Sequence, residues 1–93
     1  GQDFVVDAVL SLDVRAAATS DDLADTVDYG ALASRLAEVV AGPPVDLLET
    51  LAVRLADVCL TDPRVSSVEV TVHKPGAPIP LDFTDVAVTV VRP

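Results

Sequence analysis

The chain has 93 residues, a length that predicts one domain with a single core. Hydrophobic residues make up 51% of the chain and aromatic residues only 3%, which excludes intrinsic disorder and predicts a thin core of Val, Leu and Ala. The 15 acidic residues outnumber the 6 basic ones, and the net charge of -9 disfavours nucleic acid and anionic membrane surfaces as partners. No apolar run approaches the roughly 18 to 20 residues that cross a bilayer. The single cysteine, Cys59, cannot form an intramolecular disulfide and favours a reducing cytoplasm.

Residues 3–14 alternate between two kinds of side chain, which predicts a half-buried β-strand. Val5 and Val9 share one side of this strand with Asp7, Ser11 and Asp13. The other side is apolar throughout and carries Phe4, Val6, Ala8, Leu10, Leu12 and Val14. Residues 16–30 are polar and rich in Asp and Thr, so they predict a loop, with room for a helical turn at Ser20 to Ala24.

Two consecutive helices are predicted next. Residues 30–41 carry apolar side chains at helical spacing, with Asp28 as the N-cap, and the Gly-Pro-Pro at 42–44 ends this helix. In the second helix, Asp46 followed three residues later by Glu49 is typical of a capping box. The apolar stripe of this helix comprises Leu48, Leu51, Ala52, Leu55 and Cys59.

The remaining pattern predicts two more strands. Valines alternate with polar residues at 68–73, and alternation returns at 86–91 after the loop KPGAPIP. The order β-α-α-β-β indicates the α+β class, with an antiparallel sheet that carries both helices on one face. Apolar side chains also lie on the second face of the sheet, at Val5, Val9, Ala87 and Val91, which predicts that another subunit covers it.

Lys74 is the only lysine in a chain with five arginines, and it lies where a valine-rich strand meets Pro75, Pro78 and Pro80. The prolines restrict the backbone and would hold the ammonium group in place. Lys can be tuned to titrate whereas Arg cannot, so a functional role and a solvated loop lysine are both open.

Three further residues have two interpretations each. Glu49 is either a capping-box residue bonded to the Asp46 amide, which the pattern favours, or a carboxylate beside free first-turn amides at a pocket mouth. Tyr29 is either a packing residue or an acid. His73 lacks a second His or Cys nearby, so a metal site is not expected.

Five segments in register resemble the dihydroneopterin aldolase family, which has the tunnelling fold. The segments are GQ-x-F-x-V-D, TSDDLADTVDYG, PPVDLLETLA, V-x-V-HKPGAPIP and F-x-D-V-A-V-T-V-V-R, and together they span essentially the whole chain. The resemblance implies an antiparallel sheet with two helices on one face. It also implies that sheets of several subunits join into a barrel, giving a homo-oligomer that is a tetramer ring or a stacked octamer.

The resemblance also implies a reaction. The family splits 7,8-dihydroneopterin into 6-hydroxymethyl-7,8-dihydropterin and glycolaldehyde in folate synthesis, and epimerises the side chain at C2′. The ring imine of the reduced pterin accepts the electrons of the breaking bond, so no cofactor and no metal are expected.

The family's site residues match six positions of this chain. Lys74 would act as acid and base through a bound water, and Tyr29, reaching in from a neighbouring subunit, would protonate the enamine-like intermediate. Glu49 would grip the amino and ring N–H groups of the pterin, while the Leu48 amide donates to its carbonyl. The wall contributed by the adjacent subunit would comprise Thr26 and Val27.

The family pattern also has a strand and a loop, with another catalytic glutamate, before the position of Gly1. We therefore expect residues 1–93 to be a single, N-terminally truncated domain with weak or no activity alone. Two alternatives remain open at this point. One is a dihydroneopterin triphosphate epimerase, which would need a basic cluster where the chain offers only Lys74 and scattered arginines. The other is an inactive oligomerising fragment.

Overall fold

The computed structural model describes residues 3–75 and 85–93 and contains three strands and three α-helices within them. The strands are β1 (Val5–Leu12), β2 (Val65–His73) and β3 (Ala87–Arg92). The helices are α1 (Arg15–Ser20), α2 (Tyr29–Ala41) and α3 (Leu48–Cys59), and a 3₁₀ turn lies at Leu23–Asp25. The described strands match the predicted three, but their ends differ: β1 is shorter than the alternation at 3–14, β2 begins at Val65 rather than at 68, and β3 is shifted by one residue from 86–91.

The three strands form one antiparallel sheet in the order β1-β2-β3, with β2 in the centre. Rows of valines cross the sheet, and in one row Val72 pairs with both Val6 and Val88. Because neighbouring residues of a strand face opposite sides, this register puts the alternate apolar residues of all three strands on one face. The predicted α+β architecture is confirmed.

The core lies between α3 and the central strand. One stripe of α3 is buried, and it packs on the fully buried Val68, Val70 and Val72 of β2. The buried residues of the stripe are Leu51, Ala52, Leu55, Ala56 and Cys59. Cys59 is fully buried and is therefore a core residue, as its position in the stripe predicted, and burial raises the pKa of its thiol.

Helix α2 packs against α3 and leaves a groove between itself and β1. None of the residues of α2 is fully buried. The groove has a cavity volume of about 510 Å³ and is lined by Phe4, Val6, Ala8, Ala33, Leu36, Ala37, Val40 and Ala41. This lining contains none of the predicted site residues. In the described part of the chain, no helix has the length and apolarity needed to cross a membrane.

The predicted loop at 16–30 was wrong for residues 16–20, which belong to α1, while a helical turn of the kind expected at Ser20 to Ala24 lies at Leu23–Asp25. Consecutive alanines after Arg15 favour a helix, and the Asp13 carboxylate accepts hydrogen bonds from the Arg15 amide and guanidinium. The same guanidinium holds the pKa of Asp13 below its usual range. Helix α1 ends where Asp21 adopts a left-handed backbone conformation, with φ of 54°.

Candidate active site

Lys74 directly follows β2 and is fixed at its backbone. Its N–H donates to the carbonyl of Val86 over 2.7 Å, and its Nζ lies 6.0 Å from the centroid of the Phe4 ring. The side chain is half-buried and is positioned by strand ends rather than by a solvated loop. Of the three prolines expected to restrain it, Pro78 and Pro80 lie outside the described residues, so their effect stays a prediction.

Glu49 lies in the first turn of α3, and the capping box predicted for it was wrong. The helix begins one residue later than expected, so Leu47 occupies the N-cap position and no side chain caps the helix. A capping box needs the acceptor at the N-cap and Glu at the third helical position, whereas Asp46 precedes the N-cap and Glu49 is second. The Glu49 carboxylate is therefore exposed and free of the role that the pattern favoured.

The first turn of α3 also presents amide groups. The first N–H groups of a helix have no partner within it, and here no capping side chain satisfies them. The Leu48 side chain packs against the core, which anchors this turn. Free amides next to a carboxylate can donate to a carbonyl and accept from N–H groups of the same ligand.

Glu49 and Lys74 lie at the same end of the molecule. Only residues 60–64 separate the end of α3 from the start of β2, and the two elements pack on each other. They must therefore run in opposite directions, which puts the start of α3 over the end of β2. Phe4, which contacts Lys74 and precedes β1, lies at this end as well.

Tyr29, Val27 and Thr26 lie at the other end. Val27 is only 3% exposed, and it lines a small cavity with Val58 and Thr61, where α3 ends. Since Val27 as a whole residue is buried within the subunit, its part in a pocket wall stays a prediction. Tyr29 begins α2 and is 71% exposed, and the part that is covered lines a shallow cavity with Leu10 and Leu12 of β1.

The six predicted site residues therefore form two groups that one subunit keeps apart. Helix α2 starts at Tyr29 and has 13 residues, so it spans about 20 Å along its axis. The nine residues of β2 span about 30 Å in the same direction. A small substrate held at Glu49 and Lys74 is out of reach of Tyr29 in the same chain.

Four of the five arginines make polar contacts away from Lys74, and the fifth, Arg54, lies on the exposed side of α3. Arg15, Arg64 and Arg92 each pair with an aspartate. Arg35 donates to the Thr61 hydroxyl over 3.0 Å. Within residues 3–75 and 85–93, these contacts leave no basic cluster of the kind that a triphosphate group would need. The same residues contain no group of three or more His, Cys, Asp or Glu side chains that could hold a metal ion.

Sequence analysis missed the partners of His73. Its ring contacts Asp7 of β1 and Asp85, just before β3, at the strand ends next to Lys74. The outward position of His73 and Asp7 on their strands was a partial signal. The pairing of the two residues depends on the strand register, which the sequence pattern leaves open.

The comparisons with known proteins agree on one family. The family model described as "FolB: Dihydroneopterin aldolase" matches residues 1–91. A dihydroneopterin aldolase of Streptomyces coelicolor is 58% identical over 92 residues, covering 99% of this chain and 77% of the relative. One of Bacillus subtilis is 40% identical over 93 residues, covering 99% of this chain and 78% of the relative.

Solved structures give the same result. The E. coli dihydroneopterin aldolase in complex with neopterin superimposes with a TM-score of 0.87 at 32% identity, covering 99% of this chain and 78% of that one. A Burkholderia dihydroneopterin aldolase bound to guanine has a TM-score of 0.84 at 32% identity, covering 98% and 74%. The similarity therefore extends to the fold as well as to the sequence.

Proposed function

Since the chain belongs to the dihydroneopterin aldolase family, we propose that Lys74, Tyr29 and Glu49 form its active site, which two subunits complete. The chain is a lyase of folate synthesis that splits 7,8-dihydroneopterin into 6-hydroxymethyl-7,8-dihydropterin and glycolaldehyde. One observation carries the proposal of a shared site: Glu49 and Lys74 lie at one end of the subunit, whereas the exposed Tyr29 starts α2, a helix about 20 Å long, at the other end.

Recognition of the pterin follows from the start of α3. Pterins and guanine share an edge with an amino group, a ring N–H and a carbonyl, and the relatives from E. coli and Burkholderia were solved with neopterin and guanine. The exposed Glu49 carboxylate would accept from the two nitrogen donors. The uncapped Leu48 amide would donate to the carbonyl, and this turn offers both groups side by side.

The reaction needs a proton removed from one atom and a proton added to another. We assign Lys74, acting through a water molecule, to the side-chain hydroxyl, whose deprotonation breaks the adjacent carbon–carbon bond and releases glycolaldehyde. The electrons of that bond move into the ring imine and form an enamine-like intermediate. Tyr29 of a second subunit then protonates the carbon, so one proton leaves the substrate and one returns.

The sheet supplies a reason for subunits to associate. Val5, Val9 and Val91 are 52%, 59% and 67% exposed on the face without helices. Covering such a face removes apolar area from water, at about 25 cal/mol per Å². We propose that copies of this chain bury it in a homo-oligomer, a tetramer ring or an octamer. A cytoplasmic location, which the free and buried Cys59 favours, is part of the same proposal.

The shared site can be tested by mixing two inactive variants. Lys74→Ala and Tyr29→Phe are each expected to lose about 10²- to 10⁴-fold in turnover, because each lacks one member of the proton-transfer pair. When the variants are unfolded together and reassembled, random mixing gives about one site in four with both groups intact. The mixture should therefore recover about a quarter of the wild-type rate.

Two controls accompany this test. Mixing either variant with itself should recover nothing, and sedimentation should show the same oligomer in all samples. If the mixed sample stays as inactive as its components, or if a monomer is fully active, each site lies within one subunit and the proposal is wrong.

A further inference from the structure

His73 joins all three strands of the sheet at the end that holds Lys74. It is the last residue of β2, where it pairs with Val5 of β1 and Ala87 of β3. Its Nε2 lies 2.8 Å from Asp7 and its Nδ1 lies 2.5 Å from Asp85. The imidazole is 25% exposed, so these contacts are partly shielded from water.

The number of protons on the ring decides whether both contacts hold. A carboxylate only accepts hydrogen bonds, and a neutral imidazole has one N–H, so both contacts together require the protonated ring. The hydrogen bonds to Asp85 and then to Asp7 raise the pKa of His73, and partial burial opposes them.

After the two aspartates, the nearest side chains on this face of the sheet are uncharged hydroxyls. The next row of this face holds Thr71 and Thr89, whose hydroxyls share a hydrogen bond of 2.8 Å. Glu69 lies one row further along, and Lys74 is the next residue in the chain. The protonation of His73 therefore depends mainly on the two aspartates.

His73 and Lys74 make their contacts with adjacent residues of the same two strand ends. The His73 ring bonds to Asp85, and the amide of the next residue, Lys74, donates to the carbonyl of Val86, the residue after Asp85. Phe4, which lies under the Lys74 ammonium group, precedes the β1 residue that pairs with His73. We call His73 with its contacts to Asp7 and Asp85 the clamp. Strand ends open first when their cross-strand contacts are lost, so the clamp holds in place both groups that contact Lys74, the Val86 carbonyl and the Phe4 ring.

We propose that His73, held between Asp7 and Asp85, is a positioning residue that fixes Lys74 for proton transfer. The inference rests on the proposed function of Lys74. Neighbouring residues of a strand face opposite sides, so the imidazole of His73, next to the buried Val72, lies on the face away from α3 and Glu49. His73 therefore acts through Lys74, not on the pterin, and its loss affects kcat rather than substrate binding.

The clamp also makes activity depend on pH. The raised pKa means that the clamp is complete below the ordinary value of about 6.5 and is lost as the pH rises through the higher value in the folded protein. Above that pH the ring keeps one N–H and holds only one strand. The kcat should then fall on the alkaline side while KM stays constant.

The experiment compares His73→Ala and Asp7→Asn with the wild type. His73→Ala should lower kcat by about 10- to 100-fold with little change in KM, as expected for a displaced catalytic group. In Asp7→Asn, the amide nitrogen can donate to a neutral ring whose other nitrogen bonds Asp85, so both contacts survive deprotonation. This variant should keep wild-type activity and lose the alkaline fall in kcat.

Two further measurements separate positioning from a purely structural role. His73 is the only histidine in the chain, so one imidazole NMR titration reports its pKa, which should match the alkaline limb of kcat. Thr71→Val removes the neighbouring cross-strand hydrogen bond and should lower the melting temperature without changing the pH profile of kcat.

Each outcome supports or overturns the inference. If His73→Ala lowers only the melting temperature, or if Asp7→Asn keeps the alkaline limb, His73 does not position Lys74. Failure of the proposed function would look different, because Lys74→Ala would then retain turnover in the same assay. A loss of kcat in both Lys74→Ala and His73→Ala, with unchanged KM, supports both.

Discussion

The two long helices start in different ways, and they start at opposite ends of the molecule. Helix α2 has a capping residue, since the Asp28 side chain accepts from the Ala31 N–H over 3.1 Å. Helix α3 has none, because its N-cap is Leu47, whose aliphatic side chain is 57% exposed. A side chain thus caps the first-turn amides of α2, at the end with Tyr29, whereas no side chain caps those of α3, at the end with Lys74.

An apolar N-cap costs about 1 kcal/mol relative to Ser, Asp or Asn. Natural chains accept such local costs where function needs them. On the proposed function, the free amides and the Glu49 carboxylate at the start of α3 bind the pterin, so a capping side chain would compete with the substrate. The end with Tyr29 contributes one side chain to a neighbouring site and needs no free amides.

The largest expected effect is that of Lys74→Ala on turnover, and it distinguishes a role in catalysis from a role in binding. Lys74→Ala should lower kcat by about 10²- to 10⁴-fold, because it removes the group that moves the hydroxyl proton. Affinity for the pterin product should stay within about twofold of wild type, since Lys74 acts on the side chain and not on the ring. Steady-state kinetics and calorimetry measure the two quantities. A loss of affinity equal to the loss of rate would assign Lys74 to binding instead.

Glu49→Ala should have the opposite profile. The carboxylate contacts the part of the substrate that does not react, so pterin affinity should fall by about 30-fold or more, equivalent to about 2 kcal/mol or more for a lost charged partner. Asp46→Ala is the matched control, because Asp46 is an exposed carboxylate just before the same helix and makes no capping bond. Calorimetry that finds equal affinity in Glu49→Ala and wild type would remove Glu49 from the site.

The elements with strict periodicity could be predicted from the sequence. Period-two alternation identified β1, β2 and β3, and the stripe through Leu55 and Cys59 identified the buried face of α3. The start of α3 could not be predicted from the local pattern. Asp46 and Glu49 have the spacing of a capping box, which would start the helix at residue 47, one residue before its actual start at Leu48. Local patterns do not decide between such alternatives, whereas packing of Val45 and Leu48 on the core does.

The candidate site could be predicted only in part, because its arrangement also depends on tertiary structure. Lys74, Tyr29 and Glu49 stood out as residue types, and the family resemblance gave them roles. Their separation within one subunit follows from the direction in which α3 runs over β2, which is a tertiary property. The contact of His73 with Asp85 depends on a pairing between strands that are distant in the chain, which no local pattern carries.

The smallest expected effect comes from adding the missing cap. Leu47→Asp places a carboxylate where it can accept from the first-turn amides of α3, so the free energy of unfolding should rise by about 0.5 to 1.5 kcal/mol. The same carboxylate occupies the amides that the pterin carbonyl would use and lies close to Glu49. Pterin affinity should therefore fall by about tenfold, equivalent to the loss of one hydrogen bond. Denaturant titration and calorimetry measure the two changes.

Asp28→Ala is the opposite change at the other helix, since it removes the existing cap of α2. Together with Leu47→Asp, it tests whether only the first turn of α3 binds substrate. Removing the Asp28 cap should cost about 1 kcal/mol of stability and leave pterin affinity unchanged, because the first turn of α2 binds no substrate. Stability and affinity should thus move in opposite directions in Leu47→Asp, whereas only stability moves in Asp28→Ala. If Leu47→Asp stabilises the protein and leaves affinity intact, the open turn of α3 is a tolerated local cost and not a binding device. The pterin carbonyl would then need a donor other than the Leu48 amide.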